Sequence, residues 1–164
     1  MRLCDVFSWS SANKMTILPG SMTGTYYVRA VRPAFQDAKK CLPKMSDRAE
    51  LRRQVLKLRF WGADGGIQED GIVVDLNWSW VRALRDLRIG ELRIDDTIGG
   101  NNNLRVITWH PQDLTAPSWD PLFGSVPHIW VLSVFQKKRD DFTNANIVNF
   151  KARRLTAIER FNRT

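Results

Sequence analysis

Residues 129–142 read IWVLSVFQKKRDDF, seven apolar-dominated positions that pass without a pause into Lys137, Lys138 and Arg139. A nearly continuous apolar run of this length is the pattern of a strand buried on both faces, which places it inside a sheet rather than at its edge. A solvated strand end needs one charge. Three consecutive cations point to something negative arriving at the mouth of the strand.

The segments upstream supply its neighbours. In LRVITWH, Leu104, Val106 and Thr108 fall on one face, with Arg105, Ile107 and Trp109 on the other. In ELRI, Leu92 and Ile94 likewise oppose Glu91 and Arg93. The intervening TIGGNNN is turn chemistry, because Gly and Asn tolerate the positive φ of tight hairpins. With the apolar residues on a shared core face, Arg93 and Arg105 share the other face across a hairpin centred near Gly99. Two guanidiniums so close repel each other unless an anion joins them.

Towards the N-terminus, residues 25–31 (TYYVRAV) are β-branched and aromatic and are stopped by Pro33. PAFQDAKKCL follows as a short helix with Pro at its start. SDRAELRRQVLKLRFW predicts a second helix, with Asp47 and Glu50 at capping-box spacing and Leu51, Val55 and Leu58 as its buried stripe. IVVDLNWSWVRALRDL is ambiguous: Ile72–Val74 could be a short strand, and Asp75 or Asn77 could cap a helix running to Leu87. Residues 111–127 hold four prolines and read as an irregular excursion. The closing segment predicts a helix capped by Thr143 or Asn144. Its apolar side is Ile147, Val148, Ala152, Leu155 and Ile158, with Arg153, Arg160 and Arg163 opposite. The order of elements predicts an α+β domain: a small, mostly antiparallel sheet with helices packed on one face and a C-terminal helix. Residues 25–164 read as one domain with insertions near 62–90 and 111–127. Residues 1–24 read as an N-terminal extension, either mobile or the product of a start codon upstream of Met22, where the domain could begin.

Composition narrows the partners. The 164 residues carry a formal net charge of +8, and the isoelectric point is near 10.0, a field that favours polyanions. The cysteines are Cys4 and Cys41 and the histidines His110 and His128, which is neither a disulfide framework nor a zinc pattern and suits a reducing cytoplasm. No apolar run approaches the ~20 residues of a membrane span. No P-loop, HExxH or GxSxG occurs.

The candidate chemistry is therefore cationic. Arg93 and Arg105 on neighbouring strands, with Lys137, Lys138 and Arg139 at the end of the third, can bind successive phosphates, arginine bidentately and lysine as a point charge. Alternation gives only one of the two lysines to the arginine face. Paired with neighbouring acids, the same residues would be ordinary surface cations. Trp109 shares a face with Arg105 and could stack on a base, and His110 at the strand end could act as acid or base.

These segments together, IGELRI, LRVITW and IWVLSVFQKKRDDFTNANI with a terminal ARRLTAIERF helix, resemble the HigB-like branch of the RelE/ParE toxin superfamily. The likeness covers residues 91–163 well and residues 25–61 only in element order. It implies a small toxin, an endoribonuclease that cuts messenger RNA on the translating ribosome and is silenced by a helix-turn-helix antitoxin. No metal or other cofactor is implied. Carried over position by position, Arg93, Arg105 and Lys138 become the catalytic residues and Lys137 and Arg139 RNA-binding cations, with Trp109 and His110 beside them. Glu91 becomes an orienting residue. The chain departs from the pattern at Thr108, where many relatives have Tyr, and no tyrosine follows Lys138. That departure keeps a second reading open, a non-catalytic relative acting as a nucleic-acid- or protein-binding module.

Overall fold

A computed structural model of the chain describes residues 6–8, 26–61, 67–69, 72–74, 76–111, 128–138 and 141–162. Its elements in chain order are β1 (Val6–Ser8), β2 (Tyr27–Val31), α1 (Arg32–Cys41), α2 (Met45–Leu56), β3 (Ile67–Glu69), β4 (Ile72–Val74), β5 (Trp78–Trp80), β6 (Ile89–Ile94), β7 (Leu104–Trp109), β8 (His128–Gln136) and α3 (Asn144–Asn162). Among the described residues, six strands form one sheet in the order β1-β2-β8-β7-β6-β5, and β3 pairs with β4 separately. The class is α+β. The sheet is mixed, because β8 runs parallel to β2 on one side and antiparallel to β7 on the other. The apolar run thus lies inside the sheet, as its composition requires.

The β6–β7 hairpin has the predicted register. Arg93 is the direct partner of Arg105 and Ile94 of Leu104. Gly99 and Gly100 take φ of 56° and 78°, and Ile98 and Asn101 exchange backbone hydrogen bonds of 3.0 and 2.9 Å. Two central residues at positive φ make this the two-residue turn whose twist suits a hairpin. Gly90 is needed for a different reason. A Cβ there would stand 2.1 Å from the Trp78 ring, so the indole closes on bare backbone.

Leu92, Ile94, Leu104, Val106 and Val134 are buried in one apolar cluster with Ala34, Ala38 and Leu42 at α1 and Leu51 and Val55 of α2. The helical layer expected on one face belongs to these two helices. The C-terminal helix covers part of the other face, where Phe150 stacks on Phe135 at 5.9 Å, and Phe135 is the direct partner of Arg105.

Several local expectations are corrected. Asp47 is not a cap: α2 begins after Lys44 without a side-chain cap, and Glu50 instead pairs with Arg53 and Gln54. The Ile72–Val74 strand is present, but no α-helix runs through the described residues 76–87, where Trp78–Trp80 forms an edge strand followed by a 3-10 segment at Arg82–Leu87; Asp75 lies outside the described residues. Thr143 does cap α3, and Asn146 answers it in a reciprocal box: Thr143 Oγ1 accepts from the Asn146 N–H at 3.2 Å while Asn146 Oδ1 accepts from the Thr143 N–H at 3.1 Å. The apolar side of α3 differs from the one predicted. Val148 and Leu155 are exposed, whereas Phe150 and Ala157 are buried and Arg153 turns inward. Val6–Ser8 of the N-terminal extension forms an edge strand on β2. The rest of residues 1–24 and nearly all of the 111–127 excursion lie outside the described residues.

Arg153 turns inward because β8 outruns β2. Pairing with β2 ends at Val131, while β8 continues to Gln136. On that side the Leu132 carbonyl accepts from Arg153 at 2.9 Å, and the Val134 N–H and Ser133 hydroxyl donate to Asp37 at 3.4 and 3.1 Å. Asp37 and Arg153 pair with each other, so α1 and α3 are tied together through the open edge of β8. An unmet buried backbone group costs about 1–3 kcal/mol, and the lone member of a buried ion pair costs more. Asp37→Ala should therefore lower the unfolding free energy by about 2–4 kcal/mol in urea titration. A loss below about 0.5 kcal/mol, the size of an ordinary surface substitution, would remove the edge argument.

Candidate functional site

Glu91 sits on β6 with its side chain only 6% exposed, and three cations reach the same oxygen, Oε1. Arg105 Nε lies 2.6 Å away, Arg93 Nε 3.8 Å and Lys137 Nζ 3.9 Å. The 2.6 Å contact is an ion pair, and among the described residues neither Oε1 nor Nε makes a well-directed hydrogen bond. The cations differ in depth: Arg93 is 46% exposed, Arg105 12% and Lys137 11%. An exposed pair at Arg93's distance contributes about 0–1 kcal/mol. Arg105 depends far more on its carboxylate, because an uncompensated charge at such depth costs several kcal/mol. Burial lowers the Arg105 pKa, Glu91 opposes that shift, and the neighbouring Arg93 adds to it. The anion that must join the two arginines is thus part of the protein.

Strand register selects the lysine. Phe135 pairs with Arg105, so Lys137, two residues on, falls on the arginine face. Its ammonium lies 4.5 Å from the Phe142 ring centroid. Its backbone is held from both ends by one residue of the β6–β7 turn. The Lys137 N–H donates to the Asn103 carbonyl at 3.1 Å, and Asn103 Nδ2 donates to the Lys137 carbonyl at 2.7 Å. Asn103 has φ of 64°, a left-handed conformation that asparagine tolerates better than most residues.

The structure therefore brings together Glu91, Arg93, Arg105 and Lys137, and it corrects three other expectations. Lys138 is exposed and points away from the arginine face, because successive residues at a strand end alternate. Trp109 does lie on the Arg105 side but is buried, with Arg154 of α3 over its ring at 5.4 Å, so it offers no open platform to a base. His110 is buried elsewhere, among Trp61, Trp78 and Trp80, where Nε2 lies 2.6 Å from the Thr108 hydroxyl. Thr108 also accepts from Trp78 Nε1 at 3.0 Å, so the position where tyrosine was anticipated belongs to this indole layer. Arg139 lies outside the described residues. Asn103 is the site residue that sequence reasoning did not place, whereas Phe142 was, with Trp109 and His110, a candidate for a stacking or acid group. Asn103 had a signal in the asparagine run of the turn. The role of Phe142 depends on how α3 folds back. Among the described residues no group of His, Cys, Asp or Glu is placed to hold a metal ion.

The two histidines are structural. Burial, with Arg88 nearby, pushes His110 well below its ordinary range. Burial, with Arg29 nearby, lowers His128 from 6.5 to about 3. Both are neutral in the folded chain at pH 5 but charged when it unfolds, so the unfolded state binds more protons and stability falls with pH. The stabilisation is full above about pH 6.5 and is lost as pH drops towards the depressed values. Between pH 6.0 and 5.0, urea unfolding should show a downward slope approaching two protons, and His110→Asn should roughly halve it. A flat profile across that window would mean that neither imidazole is held neutral.

No protein-family model matches the chain, and neither a curated protein nor a solved structure matches it.

Proposed function

We propose that this chain is an RNA-cutting toxin of the RelE/ParE type, HigB-like branch, which cleaves messenger RNA on the ribosome without a metal and is neutralised by a helix-turn-helix antitoxin. The observation that carries the reading is the convergence of Arg93, Arg105 and Lys137 on one sheet face of a strongly basic chain. In the reaction proposed, a ribose 2′-oxygen forms a bond to the adjacent phosphorus and the P–O5′ bond breaks. The attacking hydroxyl gives up its proton, and the leaving 5′-oxygen takes one up. Negative charge builds on the non-bridging oxygens as phosphorus becomes five-coordinate. Fixed guanidiniums at hydrogen-bonding distance would stabilise that charge more than the ground state. In this reading Arg105 takes that role, the more exposed Arg93 meets the strand, and Lys137 serves as proton or charge partner. Lys138 becomes an outer cation for a flanking phosphate.

A second reading is favoured by one specific observation. Trp109 and His110 are buried, so the open site holds cations, one carboxylate and Phe142, with no imidazole or phenol beside them. A binding module needs no more than that.

Induced expression without an antitoxin should arrest growth, and a translating extract should yield messenger cut within codons. Arg105→Ala and Lys137→Ala should each reduce cutting by about 100-fold or more, a loss typical of removing one group that stabilises transition-state charge. Lys138→Ala should stay within a few-fold. Parental toxicity in Arg105→Ala would rule out this site. Salt-sensitive RNA binding without any cutting would favour the module.

A further inference from the structure

Three cations on one face would attract phosphates more strongly without Glu91 than with it. Glu91 nevertheless stands among them. We propose that Glu91 is a built-in counter-anion: it lowers the affinity of this face for phosphates in general and aligns Arg105 and Lys137 on a single phosphodiester. The ligand class, single-stranded RNA, rests on the function proposed above.

The geometry separates the two effects. All three cations have Oε1 as their nearest carboxylate oxygen. Three cations and one carboxylate leave a formal excess of two charges, which one phosphodiester monoanion halves. A second phosphate then meets a much weaker field, so the cluster favours one phosphate at a time. Depth reinforces the order of events. A strand meets the half-exposed Arg93 first, and its phosphate oxygen then shares Arg105 with Oε1. Without the carboxylate, Arg105 and Lys137 would repel each other and Arg93, and would have reason to swing towards water. They would still attract RNA, but no longer as a fixed set. Misplacing a reacting group by about 1 Å can cost on the order of 100-fold in rate.

The test uses Glu91→Gln, which keeps the shape and removes the charge, and Glu91→Asp, which keeps the charge and withdraws it by one methylene. Binding is measured by fluorescence anisotropy at several salt concentrations with a 2′-O-methyl oligoribonucleotide, which lacks the attacking hydroxyl. Cutting is measured with the unmodified oligonucleotide at saturation. Glu91→Gln should bind more tightly, with a log K against log salt slope steeper by about 0.7, the increment for one more phosphate neutralised on a single strand. It should also cut at least 10-fold more slowly. Glu91→Asp should keep the parental slope and still cut slowly, and it carries the alignment test should Glu91→Gln not fold. A residue of purely structural importance would weaken binding when replaced, so weaker binding or an unchanged slope in Glu91→Gln overturns the proposal. So does parental cutting in Glu91→Asp. Should the parent chain cut no RNA, the enzymatic reading fails while the comparison of slopes still decides the role of Glu91.

Discussion

β8 is nine residues long and its parallel partner β2 only five, and much of the structure follows from satisfying the difference. A strand buried in the middle of a sheet cannot leave its N–H and carbonyl groups unmet. Where β2 stops, Asp37 and Arg153 take over, one from each of the helices α1 and α3. On the other side β7 pairs with β8 through Gln136, and beyond it Asn103 extends the ladder to Lys137. Each device holds backbone, and the last also delivers a side chain. Lys137 reaches Glu91 because the end of β8 is kept in register by β7 and Asn103.

The cationic face shows why a cross-strand pair of arginines needs more than two strands. Arg93 and Arg105 are direct neighbours in the hairpin, and like charges so placed oppose pairing. Glu91, two residues before Arg93 on the same face, offsets that repulsion from within. Phe135, Phe142 and Phe150 form the floor beside it, which keeps Lys137 close to the carboxylate instead of extended into water. Charge, register and aromatic packing are thus one arrangement, and a change in any of them moves the others.

Much of this was legible in the sequence. The alternation in ELRI and LRVITW set the faces, the even separation of Arg93 and Arg105 allowed them to be cross-strand partners, and the apolar run of β8 set its interior place. The joining anion was anticipated as a need, and Glu91 as a residue that orients an arginine. What was hidden depends on contacts remote in sequence. The choice between Lys137 and Lys138 turns on whether Phe135 or its neighbour pairs with Arg105, and the long connection between β7 and β8 leaves that parity open. A register shift at Ile107/Thr108 complicates the same step. The buried side of α3 was misread because Arg153 counts as a surface residue by type. Here it serves the edge of β8, and Val148 and Leu155 turn outward in consequence. Trp109 and His110 looked available because strand ends usually are, whereas α3 covers the one and the indoles of Trp61, Trp78 and Trp80 enclose the other.

Depth bears on which kind of protein this is. Binding to nucleic acid as such asks only for positive charge near phosphates, and flexible lysines at the surface provide it without desolvation. Burying a guanidinium and an ammonium beside a carboxylate costs desolvation and removes part of the attraction. For a module whose task is affinity, that arrangement is a loss on both counts. It becomes useful where the cations must already stand in place when charge develops on a reacting group, since reorganisation avoided beforehand is barrier removed. Arg105 and Lys137, mostly buried and paired to one oxygen, would suit that role on the function proposed, and the half-exposed Arg93 would not. On the function proposed, the gradient from Arg93 inward would assign chemistry to the inner end of the cluster and simple capture to its rim.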